Sequence, residues 1–315
     1  MNKLGALIVP TGIGASIGGF AGDASPKARK IAEKTTLIVN PNVVNAGCFS
    51  GITSNMLYVE GYTIDEFFKG NIRLQPSTNN KIGVIFDKDI SADVLNVHLN
   101  TINAVKAVYD INIPEYIITN KPVGVYFENK ETFSTGGISN PETLLDAAKV
   151  LLSKGIDAIA IVCRFPEDDS PEYSNGIGVD PIGGVEAIIS HYISRELQIP
   201  CAHSPAFDDY SISNKIVDMR CAAEYITPTF LPCILLGLAN APHISKNSGY
   251  SINDLSFLLM PHNALGSIPV FEALKRNIPV YAVKENNSLL NITNDSINGN
   301  CGIIYTYEEF LESLI

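Results

Sequence analysis

Five side chains stand out as able to move a proton or form a bond: His203, His262, Asp180, Glu186 and Cys163. His203 sits in PCAHSPAF, just after the apolar residues from Ile199, and His262 in PHNALGS follows the apolar run Leu255–Met260. Both imidazoles are therefore expected at the carboxyl ends of strands, where a group titrating near neutrality can act as general acid or base. A histidine held only by structural hydrogen bonds is the competing reading for each. Asp180 and Glu186 belong to the segment VDPIGGVEAIISHYISREL and are the carboxylates best placed to work with them. Asp180 could cap that helix or face a ligand. At about 100° per residue, Glu186 and His191 stand about 140° apart on it, so the two form no metal pair there. Cys163 ends the apolar run IDAIAIVC and precedes Arg164. A nearby cation lowers a thiol pKa and would make Cys163 a nucleophile or carbon-acid base, whereas full burial would leave it inert.

A second constellation is built from glycine and asparagine. The first apolar run, Leu4–Val9, opens into PTGIGASIGGFAGDA, which carries Gly12, Gly14, Gly18 and Gly19. The third glycine comes one residue late for a G-x-G-x-x-G dinucleotide cradle, and the helix start at Ser25-Pro26 lies well beyond it. The next apolar run ends in Asn40-Pro41-Asn42, with no acid to hold a ribose hydroxyl. The remaining alternatives are a nest of backbone amides for a small anion and a packing turn against a neighbouring subunit. In the first case Asn40, Asn42 and Asn263 would orient the anion by hydrogen bonds. The six cysteines form no CxxC pair and no zinc spacing, so neither a metal nor a cofactor is required by the sequence.

The elements that must position these residues alternate. Strand-length apolar runs fall at Thr36–Val39, Lys81–Phe86, Glu115–Thr119, Val123–Phe127, Asp157–Val162, Ala223–Ile226, Ile278–Val283 and Gly302–Tyr305. Many are unbroken rather than alternating, as in strands buried on both faces of a parallel sheet. Between them lie helices with recognisable starts: Ser25-Pro26, Asn140-Pro141 and Asp180-Pro181 each place a cap before a first-turn proline. Ala92–Tyr109 shows helical spacing, and Phe165–Gly178 reads as a long polar loop. The expected class is α/β: open, mostly parallel sheets with helices on both faces, in two Rossmann-like lobes. The first lobe, residues 1–130, would carry the glycine-rich loop, and the second, residues 131–315, the His203 and His262 turns.

The chain has 315 residues, 46% of them hydrophobic, and a formal net charge of −11, so it can build a large core. No basic stripe marks a nucleic-acid or anionic-membrane surface. Dispersed cysteines, with no spanning run and no secretory signal, read as cytoplasmic and reduced. The phrases VPTGIGASIGGFAGDA, NPNVVNAG, YVEGY, GVDPIGGVEAIISH, PCAHSPAF, TPTFLPCILLGLANAP and PHNALGSIPVFEALKRNIPV together resemble an uncharacterised bacterial and cyanobacterial domain-of-unknown-function family. The likeness spans most of the chain and implies no activity. A looser similarity to the aspartate/glutamate racemase group, whose thiols end strands in two α/β lobes, implies such a place for Cys163, with no second matching cysteine. Two functions remain open. One is a small-molecule enzyme of isomerase, lyase or hydrolase type, using acid–base chemistry on a small anionic metabolite. The other is a non-catalytic nucleotide- or metabolite-binding regulatory module. A homo-oligomer is the default expectation.

Overall fold

Apolar runs without alternation become interior strands: every residue of Leu4–Leu7 and of Ile82–Phe86 is buried. The computed structural model describes residues 3–167 and 171–314. In chain order its strands are β1 (Leu4–Leu7), β2 (Thr36–Val39), β3 (Met56–Tyr58), β4 (Arg73–Gln75), β5 (Ile82–Phe86), β6 (Glu115–Ile118), β7 (Val125–Asn129), β8 (Ser134–Ile138), β9 (Ala158–Arg164), β10 (Cys201–Ala206), β11 (His243–Ser245), β12 (Leu255–Pro261), β13 (Val280–Val283) and β14 (Gly302–Ile304). The α-helices are α1 (Ser25–Ala32), α2 (Pro41–Val44), α3 (Gly61–Lys69), α4 (Ala92–Tyr109), α5 (Pro141–Ser153), α6 (Pro171–Ser174), α7 (Gly183–Leu197), α8 (Ala222–Tyr225), α9 (Leu231–Ala239), α10 (Ile268–Lys275) and α11 (Tyr307–Ser313).

Two parallel sheets organise the molecule, one six-stranded in the order β14-β13-β12-β1-β2-β3 and one four-stranded in the order β10-β9-β5-β6. Two antiparallel pairs, β4 with β11 and β7 with β8, complete the pairing. The α/β class with open parallel sheets follows directly. The sheets do not divide at residue 130, however. β1 lies between β2 and β12, with Leu7 opposite both Val39 and Leu259, so the two ends of the chain build one sheet. The physical reason is that a buried central strand must satisfy backbone groups on both edges, and its second partner arrives only with β12. The chain between them, from β5 to β10, builds the other sheet.

Side chains alternate across each strand and so feed three cores. Leu7 and Val39 of the first sheet join Val84, Phe86 and Val162 of the second around α9, in one core shared by both sheets. Leu4, Ala6 and Ile38 face the other way, toward α3 and α10. Ile85, Ile161 and Cys163 face α5 and α7.

Local differences from the sequence reading have local causes. Ala223–Ile226 is not a strand: Ala222–Tyr225 forms α8. Ser134–Ile138 forms the return strand of a hairpin with β7. α7 begins at Gly183, because the Asp180 carboxylate accepts the N–H groups of Ile182 (3.1 Å) and Gly183 (3.2 Å) and places the first turn after Pro181. Of the polar loop at Phe165–Gly178, Pro171–Ser174 is α6, and residues 168–170 lie outside the described residues.

Candidate functional site

A cleft of about 1210 Å³ opens where residues following β1, β2 and β3 meet α7 and β10. Glu186, Asp180, His203, Asn40, Asn42 and Gly19 all line it. Its floor is a carboxyl–imidazole pair. Helix α7 turns Glu186 inward, and Oε1 lies 3.3 Å from Nδ1 of His203, a residue within β10. The His203 side chain is 1% accessible and that of Glu186 is 23%. Burial acts on both groups against their charged forms. It pushes Glu186 from an ordinary 4.5 up to about 8. It pushes His203 from 6.5 down to about 3, with the Asp87 charge opposing weakly. At neutral pH the pair is therefore a carboxylic acid donating to a neutral imidazole, and the remaining ring proton sits on Nε2.

A second pair stands on the opposite face of the same helix. His191 Nε2 lies 3.6 Å from Oε2 of Glu60, which stands two residues beyond β3 and caps α3. Glu60 accepts from the N–H of Tyr62 (2.8 Å), the N–H of Thr63 (2.9 Å) and the Thr63 hydroxyl. Burial still raises it to about 7. Gly61 allows the approach, since a Cβ there would run into the His191 ring. The divergence of Glu186 and His191 around α7 thus gives each its own partner in the same cleft. Glu224 of α8 is a further acid: burial, then the charges of Asp180, Glu186 and Asp23, hold it well above the carboxylate range, with the Tyr173 hydroxyl 3.2 Å away. Sequence reasoning missed Glu60 and Glu224. A glutamate ending the phrase YVE before a glycine was the available signal for Glu60.

Among the described residues, five buried side-chain polar atoms find no hydrogen-bond partner, and three of them belong to the cleft: His203 Nε2, Asn45 Oδ1 and Ser267 Oγ. Buried polar groups are almost always paired, so this concentration marks where a ligand would dock.

Other expected site residues are placed differently. In the glycine-rich loop several backbone amides already have partners. The Gly18 N–H donates to Asp23 (2.7 Å), the Ile17 N–H to Asn286 (3.1 Å) and the Ser16 N–H to the Asn287 carbonyl (2.6 Å), so amides of this loop are consumed internally. Gly12 packs on Ser134 and Gly184, Gly14 on Leu289, Gly18 on Val9 and Gly19 on Ala15, so these positions answer to close packing. Asn40 clamps the end of β1, accepting from the Val9 N–H (3.1 Å) and donating to the Val9 carbonyl (2.8 Å). Asn42 donates to the Gly18 carbonyl. Asn263 donates to the carbonyls of Ser288 and Leu290 and accepts from Ser288, which closes a loop outside the cleft. His262 does not line the cleft either; its backbone N–H joins the Asn286 carbonyl, so it shares no site with His203. Cys163 is fully buried and its thiol is pushed well above 9 by that burial, which makes it inert rather than nucleophilic. Among the described residues the cleft is lined by seven carboxyl side chains and by Lys215 as its one lysine or arginine. Among the same residues, no group of three or more His, Cys, Asp or Glu could hold a metal ion.

Comparison with known proteins adds a family but no chemistry. A family described as protein of unknown function (DUF3326) matches residues 4–314. A protein of Synechococcus sp., named an uncharacterised lipoprotein, is 40% identical over 297 residues, which cover 91% of this chain and 82% of that protein. No solved structure matches. The likeness to the aspartate/glutamate racemase group is not among the matches, and the burial of Cys163 removes the residue that suggested it. The lipoprotein name of the Synechococcus relative also overturns the expected cytoplasmic location. Among the described residues, no helix is long and apolar enough to cross a membrane.

Proposed function

We propose that this chain, which belongs to the DUF3326 family, is a small-molecule enzyme that works by acid–base chemistry in the cleft between its two sheets. The observation that carries this reading is the Glu186–His203 pair, a carboxyl raised to about 8 beside a buried imidazole. A group whose pKa lies near the working pH is ready both to give and to take a proton. His203 Nδ1 fixes the orientation of the carboxyl, and the Glu186 oxygen not engaged by His203 is left for substrate. Proton removal and return of this kind serves isomerisation, elimination and hydrolysis. The lipoprotein name of the relative supports attachment at a membrane surface through a lipid rather than through charge, since a net charge of −11 is repelled by anionic headgroups.

The test is a turnover screen across small polar metabolites with the wild type, Glu186→Gln, His203→Ala and His262→Ala. The expected result is loss of about 10²–10⁴-fold in turnover for the first two variants, with ligand still raising their thermal midpoints, and no loss for His262→Ala. Unchanged turnover in Glu186→Gln would remove the proposal. Ligand binding with no turnover by any form would favour a binding module instead.

A further inference from the structure

The cleft is not only acidic; the polar atoms it leaves unpaired are suited to receive hydrogen bonds. Asn45 Nδ2 donates to the Tyr58 hydroxyl at 3.1 Å, so the unpartnered atom of its amide is the acceptor Oδ1. His203 Nε2 becomes an acceptor as soon as Glu186 ionises and the ring proton moves to Nδ1. Ser267 Oγ can serve either way. Glu186 and Glu224 add carboxyl oxygens, and Phe230 adds aromatic lining that suits a cation, whereas Phe20 already holds the Arg220 guanidinium 4.4 Å from its ring centre and stacks on Tyr173. The matching ligand is rich in donors, poor in acceptors and positively charged.

We infer that the cleft takes an organic ammonium compound, a primary or secondary amine, whose N–H groups are held by Asn45 Oδ1, His203 Nε2 and the carboxylates of Glu186 and Glu224. The inference rests on the reading of this cleft as the substrate site. An inorganic cation fits less well, because among the described residues no three His, Cys, Asp or Glu converge closely enough to hold one. The titratable and charged groups in and around this part of the cleft include Glu186 of α7, His203 of β10, Glu224 of α8, Tyr173 of α6, Asp180 and Asp23 in loops, the Arg220 guanidinium, which acts on Asp23 and lies over Phe20, and Asp87, which acts on His203. In the free protein, burial keeps Glu186 protonated near neutrality, and burial shifts Glu224 upward in the same direction. Ammonium binding therefore expels protons, and affinity rises with pH between 6 and 8, by up to about tenfold per pH unit for each proton released.

Three probes of one length decide the matter: butane-1,4-diamine, butane-1,4-diol and butanedioate, each tested on the full chain by thermal shift and calorimetry in two buffers of different ionisation heat. The diamine alone should raise the midpoint and release protons, and Glu224→Gln should weaken it about tenfold or more while keeping a cooperative melt. Asn45→Ala supplies an independent variant should Glu224→Gln fold poorly. Binding of butanedioate or the diol in place of the diamine, or no diamine effect, overturns the inference, as does full affinity in Glu224→Gln and Asn45→Ala. Diamine binding weakened by Glu224→Gln, together with turnover indifferent to Glu186→Gln, supports the amine site and removes the acid–base reading. Turnover of a dicarboxylate abolished by Glu186→Gln does the reverse.

Discussion

Replacing Glu186 by glutamine should stabilise the protein, and more so as pH rises. The folded chain holds this carboxyl protonated up to about 8, whereas the unfolded chain releases the proton near 4.5. Between those values the native state binds the extra proton, so wild-type stability falls with rising pH. Each pH unit is worth about 1.4 kcal/mol, which sets a ceiling near 5 kcal/mol across the interval. The 23% accessibility of the side chain reduces the expectation to about 2–4 kcal/mol at pH 8. His203 acts with the opposite sign. It stays neutral in the fold down to about 3 but takes a proton in the unfolded chain below 6.5, so its contribution is lost as pH falls. From the pair alone, the two slopes cancel between pH 4.5 and 6.5. Stability then declines above 6.5 through Glu186 and below 4.5 through His203. Glu186→Gln keeps only the histidine limb. Urea unfolding at pH 4.5, 6 and 8, read as the difference between variant and wild type, isolates the carboxyl because other titrating groups are common to both. A difference that stays constant over that range would show an ordinary, ionised Glu186 and refute the reasoning.

Three further outcomes follow from the packing. Gly184→Ala should lower stability by about 1–3 kcal/mol, seen as a lower thermal midpoint, because its Cβ would strike the Ser134 carbonyl where α7 meets β8. Asn40→Ala should destabilise by about 2–4 kcal/mol in urea melts, since it strips partners from both the N–H and the carbonyl of Val9. Its effect on ligand affinity should be small by comparison. Thiol labelling of the native protein at neutral pH should modify Cys48 first, because it is exposed while the other five cysteines, Cys163 included, are buried; early modification of Cys163 would contradict its placement.

Legibility in the sequence tracked how local each cause is. Ala92–Tyr109 was readable to its ends, because Ser91 caps it and helical apolar spacing runs through it. Thr36–Val39 was equally clear as an unbroken apolar run. The separation of Glu186 from His191 followed from helix geometry, and the structure gives them His203 and Glu60 as separate partners. β3 was not readable: three residues, Met56–Tyr58, carry too little pattern, so Glu60 beyond it lost its context. The pairing of β1 with β12 joins residues some 250 apart, and nothing local to either encodes it. The glycine loop was visible as unusual, but whether its glycines meet an anion or a neighbouring chain segment depends on Ser134, Gly184 and Leu289, which arrive from elsewhere in the fold.

The central claim is that Glu186 is a protonated acid beside His203 at neutral pH. Carbon-13 NMR of the glutamate carboxyls, titrated in the wild type and in Glu186→Gln, measures it without any substrate. A resonance titrating near pH 8 in the wild type and absent from the variant is the predicted result. A Glu186 resonance that titrates near 4.5 would contradict the account.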